Sequence, residues 1–337
     1  MSRISRYALP ILMALALVLP TAATAQLKVA ALLSGPITDA SWNAAAYEGL
    51  KLAQKKHGIQ FVYSETVKVA DAEAAFRDYA AKGYQLVIGH SFPFGAMALK
   101  VAKDFPNTKF TATTSNVSAP NLASFDQKQH EPCFLAGVLA GLMTKNNVLG
   151  AIGGFNFPAI IRQVEAFRVG ARLVNPKVRV FDTYISSWID AGKAKEAALA
   201  QIDNGGDVIF SVTDIAGSGA IKAAQERKVW AIGSSNDQNS LAPDTVLTSA
   251  LYDIPMLIDK MVEVVVKGSF EGKVYKLGMA DGIGRLAPYH ATAKAIPDKV
   301  KARIRELAKE IAKGKLVVPE LTKEGEGKTF NLAKLRP

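Results

Sequence analysis

The feature that most constrains the fold is an alternation of short β-rich runs with alanine-rich helical segments, which begins at Leu27. The β-rich runs predict strands over Lys28–Leu33, Gln60–Ser64, Leu86–His90 and Lys109–Thr114. Apolar residues at helical spacing predict helices between them over Ala40–His57, Asp71–Lys82 and Phe94–Phe105. Because alternating strands and helices indicate βαβ units, we expect a parallel sheet with helices on its faces.

The same alternation starts again after the apolar stretch Cys133–Met143. The second series predicts strands over Val148–Ile152, Val178–Tyr184, Asp207–Val212, Val229–Ile232 and Thr245–Tyr252. It predicts helices over Ala159–Val174, Ala191–Asp203, Gly217–Arg227 and Pro255–Lys267. The 337 residues suffice for about two domains. The fold class is therefore α/β with two similar lobes. Since open α/β sheets bind ligands at the carboxyl ends of their strands, we expect a cleft between the lobes.

The amino terminus has the three-part pattern of a secretory signal peptide over residues 1–25. Arg3 and Arg6 precede the apolar run Tyr7–Leu19, which is shorter than the roughly 20 residues of a membrane-spanning helix. Ala23 and Ala25 fit a cleavage site that leaves Gln26 first. No cysteine lies near this site, so we expect a periplasmic protein with no lipid anchor and no direct membrane anchor.

Composition excludes several other functions. The net charge is +11, and residues 291–337 hold twelve Lys or Arg against six Asp or Glu. Their alternating signs favour a solvated helix face over a nucleic-acid surface. The single cysteine, Cys133, is expected to be a buried small hydrophobe, and the four histidines are scattered without metal-ligand spacing. We therefore expect no catalytic residues, no metal and no cofactor.

Two of the three tryptophans follow predicted strands, in what we interpret as matching strand-to-helix loops. Trp42 comes after the first strand, and Trp188 comes after the Val178–Tyr184 strand. They can serve either as lids over the core or as a pair of plates that close on a flat ring. Stacking contributes only about 1–3 kcal/mol per base, whereas a micromolar ligand needs about 8 kcal/mol. Polar groups must therefore supply the rest.

Polar candidates cluster in the other loops at strand ends. A carboxylate there can accept hydrogen bonds from a ring N–H or an amino group, and an asparagine can donate and accept. Asp39 is also a candidate helix N-cap, which would place Trp42 and Asn43 in the first helical turn. Besides the two tryptophans, the candidate ligand-binding residues are Ser34, Asp39, Asn43, Ser91, Phe92, Thr213, Asp214 and Asp237.

Three segments resemble the basic membrane protein family, the substrate-binding proteins of ABC transporters that take up purine nucleosides or related compounds. Thr38–Asn43 (T-D-A-S-W-N) with Tyr47–Gly49 (Y-E-G) is similar to the family's D-K-S-F-N…Y-E-G segment. Glu131–Gly141 resembles its E-G-S-F-L-A-G helix, and Leu241–Ser249 is similar to its L-A-P-D-T-V-L-T-S segment. Together the matches extend over most of the chain from Gln26 onward.

The resemblance implies two Rossmann-like lobes joined by a hinge, the type I periplasmic binding protein fold. It implies an ABC transporter permease as partner and a purine stacked between aromatics that correspond to Trp42 and Trp188. We expect a monomer. Lobe 1 is predicted over residues 26–125 plus about 250–285, lobe 2 over 126–249 plus about 286–320, and a C-terminal arm over 321–337, where Gly325 and Gly327 should interrupt any helix.

Two departures from the family pattern concern the ligand. The family's G-V-D-x-D-Q stands here as Gly233–Gln238 with Ser235 for the first Asp, and its G-L-K-[DE]-G stands as Gly278–Gly282 with Ala280 for Lys. Charged side chains at these two positions are suited to holding ribose hydroxyls, so their loss favours a bare nucleobase, or another flat heterocycle, over a nucleoside. The alternatives are a sugar or another small metabolite bound by the same fold, a sensor that signals to a receptor, and an exported nucleoside hydrolase.

Overall fold

The computed structural model describes residues 26–39 and 41–335, so the predicted signal peptide lies outside the described residues. The strands, in chain order, are β1 (Lys28–Leu33), β2 (Gln60–Ser64), β3 (Leu86–His90), β4 (Lys109–Thr113), β5 (Leu122–Gln127), β6 (Val148–Gly153), β7 (Arg179–Tyr184), β8 (Val208–Val212), β9 (Trp230–Ser235), β10 (Val246–Leu251), β11 (Val274–Leu277) and β12 (Arg285–Leu286). The helices are α1 (Trp42–His57), α2 (Val69–Ala81), α3 (Phe94–Ala102), α4 (His130–Met143), α5 (Pro158–Val174), α6 (Ala191–Asp203), α7 (Gly217–Glu226), α8 (Ile254–Val266), α9 (Asp298–Ala312) and α10 (Glu326–Thr329).

These strands form two six-stranded sheets of the same order, which confirms the predicted α/β class. The first sheet runs β11-β5-β4-β3-β1-β2 and the second runs β12-β10-β9-β8-β6-β7. All pairings in the first sheet are parallel, and in the second only β12 is antiparallel to its neighbour. In the first sheet Leu33 pairs with His90, so the loops that start at Ser34 and Ser91 leave the same edge.

The chain passes between the two sheets three times. It leaves the first sheet after β5, returns after β10 and leaves again between β11 and β12. We refer to each sheet with its helices as the first or second lobe. The strand ends at Gln127 and Leu251 lie close to the predicted boundaries at residues 125 and 250, and the full division into lobes stays a prediction.

Glycines let α4 and α5 pack closely against each other in the second lobe. A Cβ added to Gly137 would lie 1.9 Å from the Phe167 carbonyl oxygen, and one added to Gly170 would lie 2.0 Å from that of Phe134. Cys133 on α4 is fully buried, as expected, and burial raises the pKa of its thiol to about 12. The thiol is therefore protonated at neutral pH, and Cys133 serves as a packing residue.

The basic C-terminal segment is more than a solvated surface. Within it α9 buries the stripe Val300, Ile304, Leu307 and Ile311, while its charged side chains pair on the outer face. Lys301 contacts Asp298 at 3.1 Å, and Arg303 contacts Glu306 at 2.7 Å. These ion pairs fit the predicted charged face. The apolar stripe that holds the helix on the core was not predicted.

Candidate ligand-binding cleft

A cavity of about 570 Å³ lies between the two lobes, at the carboxyl ends of both sheets. This volume is within the range of about 300–1,000 Å³ that small-molecule sites occupy. Eight of the ten predicted site residues line it: Ser34, Asp39, Trp42, Asn43, Ser91, Phe92, Trp188 and Asp214. We call this cavity the cleft.

Trp42 is the first residue of α1 and stacks on His90, with ring centroids 4.3 Å apart and planes 17° apart. The Nε2–H of His90 donates to the Trp42 carbonyl oxygen at 3.0 Å. Burial lowers the pKa of His90 to about 4, so the imidazole is neutral at pH 7. His90 therefore supports one face of the indole from behind, as a packed histidine, while the indole contributes to the cleft wall.

Asp39 organises the start of α1, although the helix itself begins three residues later. Its carboxylate accepts hydrogen bonds from the backbone N–H groups of Ser41 (2.9 Å), Asn43 (2.8 Å) and Ala44 (2.9 Å). It also accepts one from Asn43 Nδ2 at 2.8 Å. Both oxygens are thus engaged by the helix start. The N-cap residue of α1 is Ser41, so the prediction that Asp39 occupies the cap position is wrong by two residues. The Asp39 carboxylate nevertheless holds the first turn, in which Trp42 and Asn43 lie as predicted.

Asp214 follows β8 and has a left-handed backbone with φ of 49°. Its Oδ1 accepts hydrogen bonds from Ser235 Oγ at 3.3 Å and, across the cleft, from Ser41 Oγ at 3.2 Å. Burial, with the nearby charge of Asp39 as a second cause, raises the pKa of Asp214 to about 6. Within residues 26–39 and 41–335, no group donates to its Oδ2. Because both hydrogen bonds are made to Oδ1, Oδ2 can still accept one from a ligand in the cleft that Asp214 lines.

Aromatic side chains close the second-lobe side of the cleft. The Trp188 ring lies 5.1 Å from Phe155 and 6.1 Å from Phe157, centroid to centroid. A Cβ added to Gly154 would come within 2.2 Å of the Trp188 ring, so the indole contacts that backbone directly. Phe157 also stacks on Phe92 of the first lobe, at 5.9 Å and 18°. The two lobes therefore touch through aromatic rings as well as through Asp214.

The sheet order corrects the expected equivalence of the two tryptophans. β1, which precedes Trp42, has a neighbour on each side, and its counterpart in the second sheet is β6. The residue that caps the helix after β6 is Phe157. Trp188 follows β7, the edge strand, so the two indoles reach the cleft from different positions in their lobes. Both nevertheless line it.

Two predicted site residues do not line the cleft. Thr213 is fully buried and its hydroxyl bonds to Ser211 Oγ at 2.6 Å. Asp237 instead pairs with His290 Nε2 at 2.6 Å, because β9 continues to Ser235 and the chain then turns away. Ala280 is exposed in a short 3₁₀ turn away from the cleft, whereas Ser235 lines it.

The cleft also contains residues that sequence reasoning missed. Phe155 and Phe157 directly follow β6, a position that could have identified them. Gln129, Gln163 and Tyr252 form a hydrogen-bonded floor. Gln163 Nε2 donates to Gln129 Oε1 at 2.9 Å, and the Tyr252 hydroxyl donates to Gln163 Oε1. No sequence signal marks these three, because they lie in a helix and in the segments that cross between lobes.

Metal binding and membrane insertion are the remaining possibilities for the residues that the structure describes. Among them, no group of three or more His, Cys, Asp or Glu is arranged to hold a metal ion. None of the helices in this part of the chain is long and apolar enough to cross a membrane.

Two parallel-sheet lobes that enclose a cleft at their strand ends define a solute-binding protein of the type I periplasmic class. The fold resembles that of an ABC transporter solute-binding protein from Aeropyrum pernix K1, with a TM-score of 0.81 at 21% identity, over 92% of this chain and 100% of that one. The family described as ABC transporter substrate-binding protein PnrA-like matches residues 26–322, so the chain belongs to the Bmp family.

Individual relatives carry more specific names. The chain is 32% identical over 295 residues to a purine-binding protein of Brucella abortus (strain 2308), covering 86% of this chain and 82% of that protein. It is 28% identical over 268 residues to a putative ABC transporter glucose-binding protein of Haloferax volcanii, covering 79% and 68%. The protein is thus a substrate-binding protein of an ABC transporter, as the sequence motifs predicted.

Proposed function

We propose that the cleft binds a purine nucleobase or nucleoside, with the base favoured, between Trp42 and Trp188. The observation that carries the proposal is an aromatic cleft with one available carboxylate oxygen, that of Asp214. Flat rings stack on indole faces, and an amino group or ring N–H can donate to the carboxylate. The name of the Brucella relative supports the same ligand class. The ligand-loaded protein would then deliver its purine, in the periplasm, to the permease.

The preference for a base depends on Ser235 alone. Its hydroxyl lines the cleft and donates to Asp214, where the family pattern has an Asp. Ala280 does not line the cleft, so its departure from the family pattern adds nothing to this argument. We expect Ser235→Asp to improve adenosine binding relative to adenine, because a second carboxylate can accept from ribose hydroxyls. A Ser235→Asn variant, which has the size of Asp without its charge and tolerates the left-handed backbone at φ of 67°, is the matched control. An unchanged adenosine-to-adenine affinity ratio in Ser235→Asp would contradict this role.

Titration calorimetry with the purified protein tests the ligand class. We expect adenine, guanine, hypoxanthine or xanthine to bind in the micromolar range or tighter, and the matching nucleosides to bind more weakly. No heat and no thermal shift with any of them would refute the purine proposal. Incubation with inosine, followed for release of free base, tests the hydrolase alternative in the same samples.

A sugar is the second candidate ligand. One relative is named as a putative glucose-binding protein, and aromatic faces also pack against sugar rings. A rise of the melting temperature with glucose or other sugars, with all purines silent, would favour this candidate. Trp42 and Trp188 would then pack against the faces of the sugar ring in the same cleft.

The pH dependence of adenine affinity tests the role of Asp214. A ligand that donates to the carboxylate favours its ionised form. Affinity should therefore be constant well above the pKa of about 6 and decline as the pH falls through it, by up to about tenfold per pH unit. The other ionisable groups that line or back the cleft are Asp39, Lys68, His90 and Tyr252.

Asp214→Asn isolates the contribution of Asp214 from those of the other four groups. This variant should bind adenine more weakly at pH 8 and should lose most of the decline between pH 8 and pH 5. If affinity instead rises on acidification in the wild type, the ligand presents an acceptor to Asp214, and the proposed donor contact is wrong.

A further inference from the structure

We propose that the C-terminal segment 323–335 is a positioning element for the second-lobe wall of the cleft. We call this segment the clamp. It lies beyond the part of the chain that matches the family, residues 26–322, so the family resemblance does not account for it. Only the ligand-affinity part of the test below rests on the proposed function.

The clamp is held by a buried carboxylate on α5. Glu165 is fully buried, and its two oxygens accept hydrogen bonds from the backbone N–H groups of Gly325 (2.9 Å) and Gly327 (2.7 Å). Arg168 Nε also contacts Glu165, at 3.1 Å. A buried carboxylate destabilises the protein when its hydrogen-bond donors are removed, because the charge is then left without partners. The two clamp N–H groups therefore stabilise Glu165 where it stands.

A second contact on the same helix face holds the other end of the short helix α10. Arg172 donates to the carbonyl oxygen of Gly327 and, at 3.2 Å, to that of Phe330. Residues seven apart lie on one side of an α-helix, so Glu165 and Arg172 both hydrogen-bond to the clamp from the same face of α5. A Cβ on Gly327 would lie 2.7 Å from Glu165 Oε2 and 3.0 Å from the Glu165 carbonyl oxygen, so only glycine fits there without a shift.

The end of the clamp is seated in the core. The prediction that Gly325 and Gly327 interrupt any helix is wrong for Gly327, which lies within α10, while Gly325 is the residue that precedes this helix. Leu335 is buried, and its carbonyl oxygen accepts from the Val317 N–H at 2.9 Å. Phe330 and Leu332 pack against the main hydrophobic core. The clamp is therefore held near Gly325 and at Leu335, and it packs against the outer face of α5.

The helix that carries the clamp also builds the cleft. Gln163 and Ile160 on α5 line the cleft, and Phe157 caps its first turn. Asn156, between the cleft residues Phe155 and Phe157, donates from Nδ2 to Glu324 of the clamp. The clamp thus contacts both the helix and the preceding loop from outside. We infer that it fixes the aromatic wall against which Trp188 packs.

Two pairs of variants test this inference. Gly327→Val should release α10 from Glu165, with Lys334→Ala, exposed in the same segment, as control. Glu324→Ala should release Asn156, with Glu324→Gln as the conservative variant that still offers an acceptor oxygen.

Adenine affinity is measured by calorimetry. The environment of Trp188 is measured by acrylamide quenching in a Trp42→Phe, Trp230→Phe background, where Trp188 is the remaining tryptophan.

We expect Gly327→Val to weaken adenine binding by about three- to tenfold and to raise quenching of Trp188, with a smaller change in Glu324→Ala. Lys334→Ala and Glu324→Gln should match the parent protein. If Gly327→Val does not fold, the Glu324 pair decides. Unchanged Trp188 quenching in Gly327→Val and in Glu324→Ala would overturn the inference. If the parent protein binds no purine, the proposed ligand fails, and Trp188 quenching still decides the role of the clamp.

Discussion

Replacing Trp42 by alanine is expected to weaken purine binding by about one to two decades, because it removes a stacking face worth about 1–3 kcal/mol. His90 packs against the face of the indole that points away from the cleft, so no other aromatic ring can take the place of Trp42 from that side. Trp42→Phe should keep part of the affinity, since a smaller aromatic plate remains. Calorimetry at constant pH measures both variants.

Trp188→Ala is expected to weaken purine binding by a similar amount. In each tryptophan variant the loss of binding free energy should exceed the change that Asp214→Ala causes in the free energy of unfolding. Trp230→Phe is the matched control, because Trp230 lies in β9 and packs against the core without lining the cleft. If both alanine variants bind a purine as the wild type does, the indoles are lids over the core, and the assignment of the plates is wrong.

The sequence predicted the regular part of the fold well, because most strands are continuous apolar runs bounded by clear turns. It missed β5, whose Ser124, Asp126 and Gln127 are all buried in a strand that hydrophobicity alone does not reveal. β11 and the two-residue β12 were missed because their pairing comes from the segments that cross between lobes. These contacts join residues about 150 and 36 positions apart, which no local pattern encodes.

We predicted the candidate site residues from their positions directly after strands. The wrong predictions among them come from errors in strand length and in strand order. The length of β9 decides whether Ser235 or Asp237 reaches the cleft, and the actual strand ends three residues beyond the predicted Ile232. Sheet order decides which loop is the counterpart of the Trp42 loop, and chain order does not reveal which strand is at the edge. The glutamine and tyrosine floor depends on contacts between crossing segments, so it required the structure.

Asp126→Ala is expected to give the largest loss of stability, about 3–5 kcal/mol in the free energy of unfolding. Asp126 on β5 of the first lobe accepts two hydrogen bonds from Arg162 on α5 of the second, at 2.6 Å and 2.9 Å. Both side chains are buried, so the alanine variant would leave a buried guanidinium without its paired carboxylate, with the Gln127 carbonyl oxygen at 2.8 Å and the charge of Glu320 as the remaining compensation. Urea denaturation followed by circular dichroism measures the loss.

Asp203→Ala is the matched control, because it breaks the pair with Arg227 at 2.8 Å, in which both side chains are about half exposed. Such a surface pair contributes at most about 1 kcal/mol. Replacing both buried partners, as in Asp126→Leu with Arg162→Met, should cost less than Asp126→Ala alone, since neither charge then remains buried. If Asp126→Ala costs no more than Asp203→Ala, the Arg162 charge reaches water without its partner. The link between β5 and α5 would then not hold the two lobes together.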